Sequence, residues 1–179
     1  MEEKDFIQKL LDPKTQNEAY RQLLFQYQRP LYNHIRNIVL NHDDADDVLQ
    51  STFIKVFQHL KNFKRESRLF SWMYRIATNE AITFINQKAK KNGRTSEALQ
   101  SKVVDNLQAD VYFDGDAVQI KLQKAIHLLP EKQQLVFKMK YFEEIKYEDM
   151  SEILGTSVGA LKASYHHAVK KIELYMTTD

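Results

Sequence analysis

The chain has 179 residues, 43% of them hydrophobic and 28% charged, with no cysteine and a formal net charge of only +2. This composition is globular rather than disordered, suits one ordinary domain or two small ones, and excludes a disulfide framework or a thiolate metal site. The N-terminus MEEKDFIQKLL lacks a basic leader, and no apolar run reaches membrane-spanning length, so a soluble cytoplasmic protein without membrane insertion is expected.

With 4 glycines, 3 prolines and no strictly alternating run, helix is favoured throughout. Residues 4–11 read as a short helix ended by Asp12-Pro13. From Asn17 to Leu40 the apolar residues Tyr20, Leu24, Tyr27, Leu31, Ile35 and Ile38 recur every three or four positions, as on an amphipathic helix. Pro30 lies inside it and is expected to kink or break it. Asn41-His42-Asp43-Asp44 signals a new helix running to about Leu60, its early acids facing the positive end of the dipole. Ala45, Val48, Thr52, Val56 and Leu60 form one packing face. Leu49, Phe53, Ile54 and Phe57 make a second apolar patch beside Asp47, Gln50 and Ser51, which internal packing or a docked protein would cover.

Charge is segregated along the chain. Residues 1–60 carry a net −2, residues 61–94 +7, residues 95–120 −4 and residues 121–179 +1. The basic stretch KNFKRESRLFSWMYRIATNEAITFINQKAKKNGR interleaves its cations with Phe63, Phe70, Trp72, Tyr74 and Phe84. Cations hold phosphates and aromatic faces stack on unpaired bases, so the mixture suits a strand that has left the duplex; an aromatic core stripe with a solvated basic face is the other reading. A helix from about Ser67 to Ala89 would turn Leu69, Met73, Ile76, Ala77 and Phe84 inward and present Trp72, Arg75, Asn79 and Thr83 as an outward row. Between Lys91 and Ala117 periodicity fades into an acidic linker, partly helical around residues 96–104.

Beyond the linker, Val118, Leu122, Ala125, Ile126 and Leu129 make a helical stripe, and Pro130-Glu131 opens the next helix. YEDMSEILGTSVGALKASYHHAVKKIELY then reads as a short helix, a bend at Gly155 and a long helix from about Val158, the pattern of a helix-turn-helix. Val158, Leu161, Tyr165, Ala168, Ile172 and Tyr175 would face inward. Ser157, Gly159, Ala160, Lys162, Ala163, His166 and Lys170 remain outside, where small residues followed by cations suit a DNA major groove.

Taken together, DADDVLQSTFIKVFQHL, FSWMYRIATNEAITFI and LPEKQQLVFKMKYFEEIKYEDMSEILGTSVGALKASYHHAVKKI, in that order and separated by the linker, resemble an extracytoplasmic-function sigma factor of bacterial RNA polymerase. The resemblance covers nearly the whole chain. It implies an all-α protein of two small helical domains joined by an acidic linker, the second a helix-turn-helix domain. Residues 1–92 correspond to sigma region 2, residues 93–117 to the linker and residues 118–179 to region 4. It implies that Asp47, Gln50, Ser51, Ile54 and Phe57 dock on the clamp coiled coil of the largest polymerase subunit, the flap receiving the C-terminal domain. It implies that Phe63, Lys64, Arg65 and Arg68 hold a base flipped from the promoter −10 element while Trp72, Arg75 and Asn79 line the strand path. It implies that the linker threads the polymerase RNA channel and that Ser157, Gly159, Ala160, Lys162, Ala163, His166 and Lys170 read the −35 element. An anti-sigma protein is the regulatory partner of such a chain. Ser51 stands where the family usually has Glu, and Ser164, His167 and Val169 stand where arginines are frequent, so no −35 sequence preference carries over.

Two other classes compete. A helix-turn-helix repressor would use the C-terminal domain without polymerase and would not need the basic aromatic stretch. A metal-dependent phosphodiesterase would need Asp43, Asp44, Asp46 and Asp47 as ligands, yet consecutive helical acids point apart and capping already explains them. No nucleophile with base and oxyanion donors is legible, so no catalytic residue, metal or cofactor is assigned.

Overall fold

Helix α2 (Gln16–Val39) continues without interruption through Pro30, contrary to the expected break. Pro30 and the preceding Arg29 are exposed, so the carbonyl left without its amide partner can be hydrated, and the helix survives. The computed structural model describes residues 2–178, and among them only helices and short 3-10 turns occur. Around α2 lie α1 (Glu3–Leu11), α3 (His42–His59) and α4 (Leu69–Lys91). They are followed by α5 (Ser96–Asp105), α6 (Ala117–His127), α7 (Glu131–Tyr141), α8 (Tyr147–Leu154) and α9 (Val158–Thr177).

Capping residues set several starts. Asn41 Oδ1 accepts the Asp44 amide at 3.0 Å, Thr95 Oγ1 that of Ala98 at 3.1 Å, Asp116 Oδ1 that of Gln119 at 2.9 Å and Ser157 Oγ that of Ala160 at 3.2 Å. Helix α4 has no such side chain at Arg68; instead Glu3 of α1 accepts the Leu69 amide at 3.0 Å. The carboxylate satisfies an orphan donor and complements the dipole, so α1 positions the start of the basic helix.

The first helical unit closes on Leu23, Leu31 and Ile35 of α2, Ala45, Val48 and Val56 of α3, and Leu69, Met73, Ala77 and Ala81 of α4. Phe6, Ile7 and Leu10 of α1 complete it. The second unit buries Leu122, Ala125 and Ile126 of α6 against Phe137 of α7 and Ala168 and Ile172 of α9. Val118, expected in that stripe, is 60% exposed in the first turn of α6, which begins at Ala117.

The two units are not separate bodies. Val136, Met139, Ile145, Met150, Ile153 and Leu161 of the second join the core of the first. Helix α4 therefore buries a second row, Ser71, Tyr74 and Thr78, beside the predicted one. Helix α8 packs on α4 while α7 approaches α2. The linker is structured as well: Val104 and Leu107 are buried, and α5 bridges α4 and α6.

Met150 is fully buried in this shared core. Met150→Ala is expected to cost about 3 kcal/mol, read as a lower urea midpoint with an unchanged slope. A loss under about 1 kcal/mol would remove α8 from the cooperative core.

Candidate nucleic-acid interface

Between α3 and α4 the chain passes through a 3-10 turn (Leu60–Asn62) and an irregular loop. Phe63 is half-buried and rests on Trp72, ring centroids 4.9 Å apart. Arg65 has φ 59°, a left-handed conformation unusual for a side chain of its size. That turn leaves Lys64, Arg65 and Arg68 exposed around the Phe63–Trp72 pair. One turn and two turns beyond Trp72 on α4, Arg75 and Asn79 are exposed. The residues read from the sequence as one row thus share one surface: cations at the rim, an aromatic pair at the floor and an amide further along.

One edge of this surface is covered. Arg68 Nη1 donates to both carboxylate oxygens of Asp149 on α8, at 3.1 and 3.4 Å. Gly155, which ends α8 in the left-handed region at φ 65°, lies so near Arg75 that a Cβ there would meet its guanidinium at 3.4 Å. The helix-turn-helix therefore sits against the N-terminal half of α4, with Arg68 at its cap paired to Asp149 and the α8 turn beside Arg75.

Under that edge lies a buried polar junction which sequence reasoning missed. His34 of α2 has no exposed surface. Its Nδ1 is 3.0 Å from both carboxylate oxygens of Glu143, in the turn between α7 and α8, and its Nε2 is 2.7 Å from Thr78 Oγ1. The Thr78 hydroxyl in turn donates to the Tyr74 carbonyl at 2.7 Å. Asn37 Nδ2 adds a longer bond to Glu143 at 3.4 Å. The Tyr74 ring lies 4.8 Å from that of His34; burial, then the Glu143 charge, pushes its phenol well above the ordinary value. Lys138 of α7 is also buried, which lowers its amine to about 8 although the Glu143 charge acts in the opposite sense. The 109 residues between His34 and Glu143 carry no periodic signal that would pair them.

The other predicted surfaces are placed as follows. Ser157, Gly159, Ala160, Lys162, Ala163, His166 and Lys170 are all exposed on one side of α9, with Ser157 at its cap. Lys162 reaches over the Tyr147 ring at 5.8 Å. On α3, Asp47, Gln50 and Ser51 are exposed, Ile54 is half-exposed and Phe57 packs on Tyr20 with centroids 4.6 Å apart. Leu49 and Phe53 of the same patch are buried, so internal packing takes part of it and leaves Ile54 outside. Of the α3 acids, Asp44 holds Lys88 at 2.6 Å and Asp46 lies 3.4 Å from His42.

The linker is fastened to the first unit. Gln100 Nε2 donates to the Ile38 carbonyl at 3.3 Å, and Arg36 donates to Asp110 at 2.9 Å. Burial alone would raise the Asp110 carboxyl, but bonds from the Tyr112 amide and Arg36 outweigh it and hold the carboxyl below its usual range. Tyr112 stacks on His42, centroids 3.8 Å apart, and His42 Nδ1 is hydrogen-bonded to the Tyr32 hydroxyl at 2.6 Å.

A helix-turn-helix joined to a basic aromatic helical unit defines a DNA-binding transcription protein. The Sigma-70 region 2 family model matches residues 23–91 and the Sigma-70 region 4 model residues 119–172, together over two thirds of the chain. Among curated relatives, the ECF RNA polymerase sigma-E factor of Haemophilus influenzae is 25% identical over 87% of this chain and 86% of its own length. The ECF RNA polymerase sigma factor SigW of Bacillus subtilis is 28% identical, with 86% of each chain covered. Among solved structures, the sigma factor RpoE of Bartonella quintana, in complex with the anti-sigma factor NepR, aligns over 90% of this chain and 99% of its own. It does so with a TM-score of 0.67 at 19% identity. CnrH in complex with the cytosolic domain of CnrY aligns over 91% of this chain and 90% of its own, with a TM-score of 0.66 at 18% identity. The chain belongs to the extracytoplasmic-function sigma factors of the sigma-70 family.

Glu143→Ala would leave His34 without its anionic partner in a buried site and is expected to weaken the junction by about 2–3 kcal/mol. Combined with Asp149→Ala, it should separate the two units, read as a larger radius of gyration in small-angle X-ray scattering. An unchanged scattering profile would show that apolar packing alone holds them.

Proposed function

We propose that this chain is the promoter-specificity subunit of a bacterial RNA polymerase: it binds core enzyme, recognises −10 and −35 promoter elements and promotes DNA melting. The supporting observation is the order of the two family matches, region 2 over the basic aromatic unit and region 4 over the helix-turn-helix. It acts as an initiation factor in the cytoplasm and contributes no catalytic group of its own. Residues 1–92 serve as the −10 and core-binding domain, residues 93–117 as the linker and residues 118–179 as the −35 domain.

Each surface takes a physical role. Phe63 with Lys64, Arg65 and Arg68 would receive an unstacked base, the aromatic pair supplying a stacking face and the cations the phosphate contacts. Trp72, Arg75 and Asn79 would carry the strand onward along α4. The exposed side of α9 would enter the major groove at −35, its short Gly159, Ala160 and Ala163 side chains permitting close approach while Lys162, His166 and Lys170 reach phosphates or bases. Asp47, Gln50, Ser51, Ile54 and Phe57 on α3 would meet the basic clamp coiled coil of the polymerase, and the flap would take the C-terminal domain.

Because Asp149 holds Arg68 and the α8 turn lies against Arg75, the second unit must leave α4 before a strand can pass. The arrangement described here is therefore the closed one, and core polymerase would bind the open one in preference. An anti-sigma protein that held the units together would act through the same equilibrium.

Run-off transcription with core polymerase on promoter fragments tests this reading. New promoter-specific starts that require the chain are expected; duplex binding without core and no stimulation of transcription would overturn it. Asn79→Ala should reduce open-complex formation at least tenfold while leaving core affinity within about twofold. Equal losses in both assays would remove Asn79 from the strand path. Asp47→Lys should do the reverse, placing a cation against a basic partner, and unchanged core affinity would count against the α3 docking face.

A further inference from the structure

A cavity of about 400 Å³ opens where the two units and the linker meet, bounded by α2, α4, α5, α6 and α7 and the turn between the last two. Its size falls in the range of small-molecule sites. Ile38, Ile85, Leu129 and Leu135 form its apolar walls. Two polar side chains reach it with unmet needs. Lys138 is only 6% exposed, lines the cavity, and takes part in no ion pair or side-chain hydrogen bond among the described residues. Gln100 also lines it; its amide nitrogen is committed to the Ile38 carbonyl, while its buried Oε1 has no donor.

Neither feature helps the fold. A buried ammonium that feels the Glu143 charge but forms no ion pair lowers stability, and methionine would fill the same stem volume without that cost. An orphaned buried carbonyl is costly as well. Both groups address the same space, and their needs are complementary: one wants an anion, the other a donor. His127 stands at the same cavity, where burial, then the Lys138 charge, holds its imidazole below the ordinary value; the lining carboxylates Glu97 and Glu131 are both exposed, so water screens their charge, whereas Lys138 is buried.

We propose that this cavity binds a small amphipathic anion, with an apolar body against the isoleucine and leucine walls, a carboxylate, sulfonate or phosphate head on Lys138, and an N–H or O–H donated to Gln100 Oε1. The site exists only while the two units are together, since its walls come from both. An occupant therefore adds its binding free energy to the closed arrangement and opposes opening. This makes the chain a sensor of a small metabolite as well as a target for proteins, and the binding itself does not depend on the transcriptional reading.

Calorimetric titration of the full chain with indole-3-acetate, which carries both an anion and an N–H on an apolar ring, tests the site. Saturable one-to-one binding is expected. Indole-3-acetamide, which lacks the charge, should bind at least about tenfold more weakly, and naphthalene-1-acetate, which lacks the donor, should bind measurably more weakly. Lys138→Met should weaken indole-3-acetate about tenfold or more while raising the melting temperature of the free protein, which separates loss of the site from loss of the fold. No saturable binding by any of the three compounds, equal affinity for acid and amide, or undiminished binding in a folded Lys138→Met would each overturn the proposal.

Discussion

The bond between His34 and Glu143 is the constraint from which the arrangement of the molecule follows. It places a carboxylate from the second unit inside the first, 3.0 Å from an imidazole with no solvent contact. Bringing these groups out of water is costly unless every partner is present, and here Thr78, Asn37 and the Tyr74 carbonyl complete the set. Hydrophobic contact alone tolerates sliding, whereas a fully satisfied polar junction fixes register. It therefore determines which part of α8 lies over which part of α4, and through that the pairing of Arg68 with Asp149.

Stability and activity are consequently in tension. The apolar side chains that α7, α8 and α9 contribute to the shared core strengthen the closed form, yet under the proposed function promoter contact would need the surfaces those helices approach. The buried Lys138 works against the closed form, because its ammonium is shielded from water there. Such local costs are usual where a protein must change state.

How much of this the sequence revealed depended on whether the signal was local. Apart from α5, whose segment shows little periodicity, the helices follow from a three-four apolar spacing, and α3, α5, α6 and α9 begin at an Asn, Thr, Asp or Ser cap; both signals act within a few residues. The candidate DNA-contacting residues of α9 lie outside its buried stripe, as the same period requires. Pro30 misled because its consequence depends on which side of the helix meets water, and Val118 because a stripe does not reveal which of its turns is covered. The second buried row of α4 was hidden for a different reason: Ser71, Tyr74 and Thr78 are polar, and their burial becomes intelligible only once α8 and His34 are in place. Lys138 likewise reads in sequence as a surface lysine. Contacts between residues a hundred positions apart leave no periodic trace in a single chain.

The docked linker has a geometric consequence of its own. Ten residues in α5 cover about 15 Å as helix, whereas the same ten drawn out span about 35 Å. Gln100, Arg36 and the Tyr112–His42 stack hold that length in reserve along the first unit. Release of these three attachments would turn a short strut into a long tether, so the reach between the two DNA-contacting units is set by what happens to the chain between them. Spacing between two recognised sequence elements is thereby a property that the linker carries in folded form.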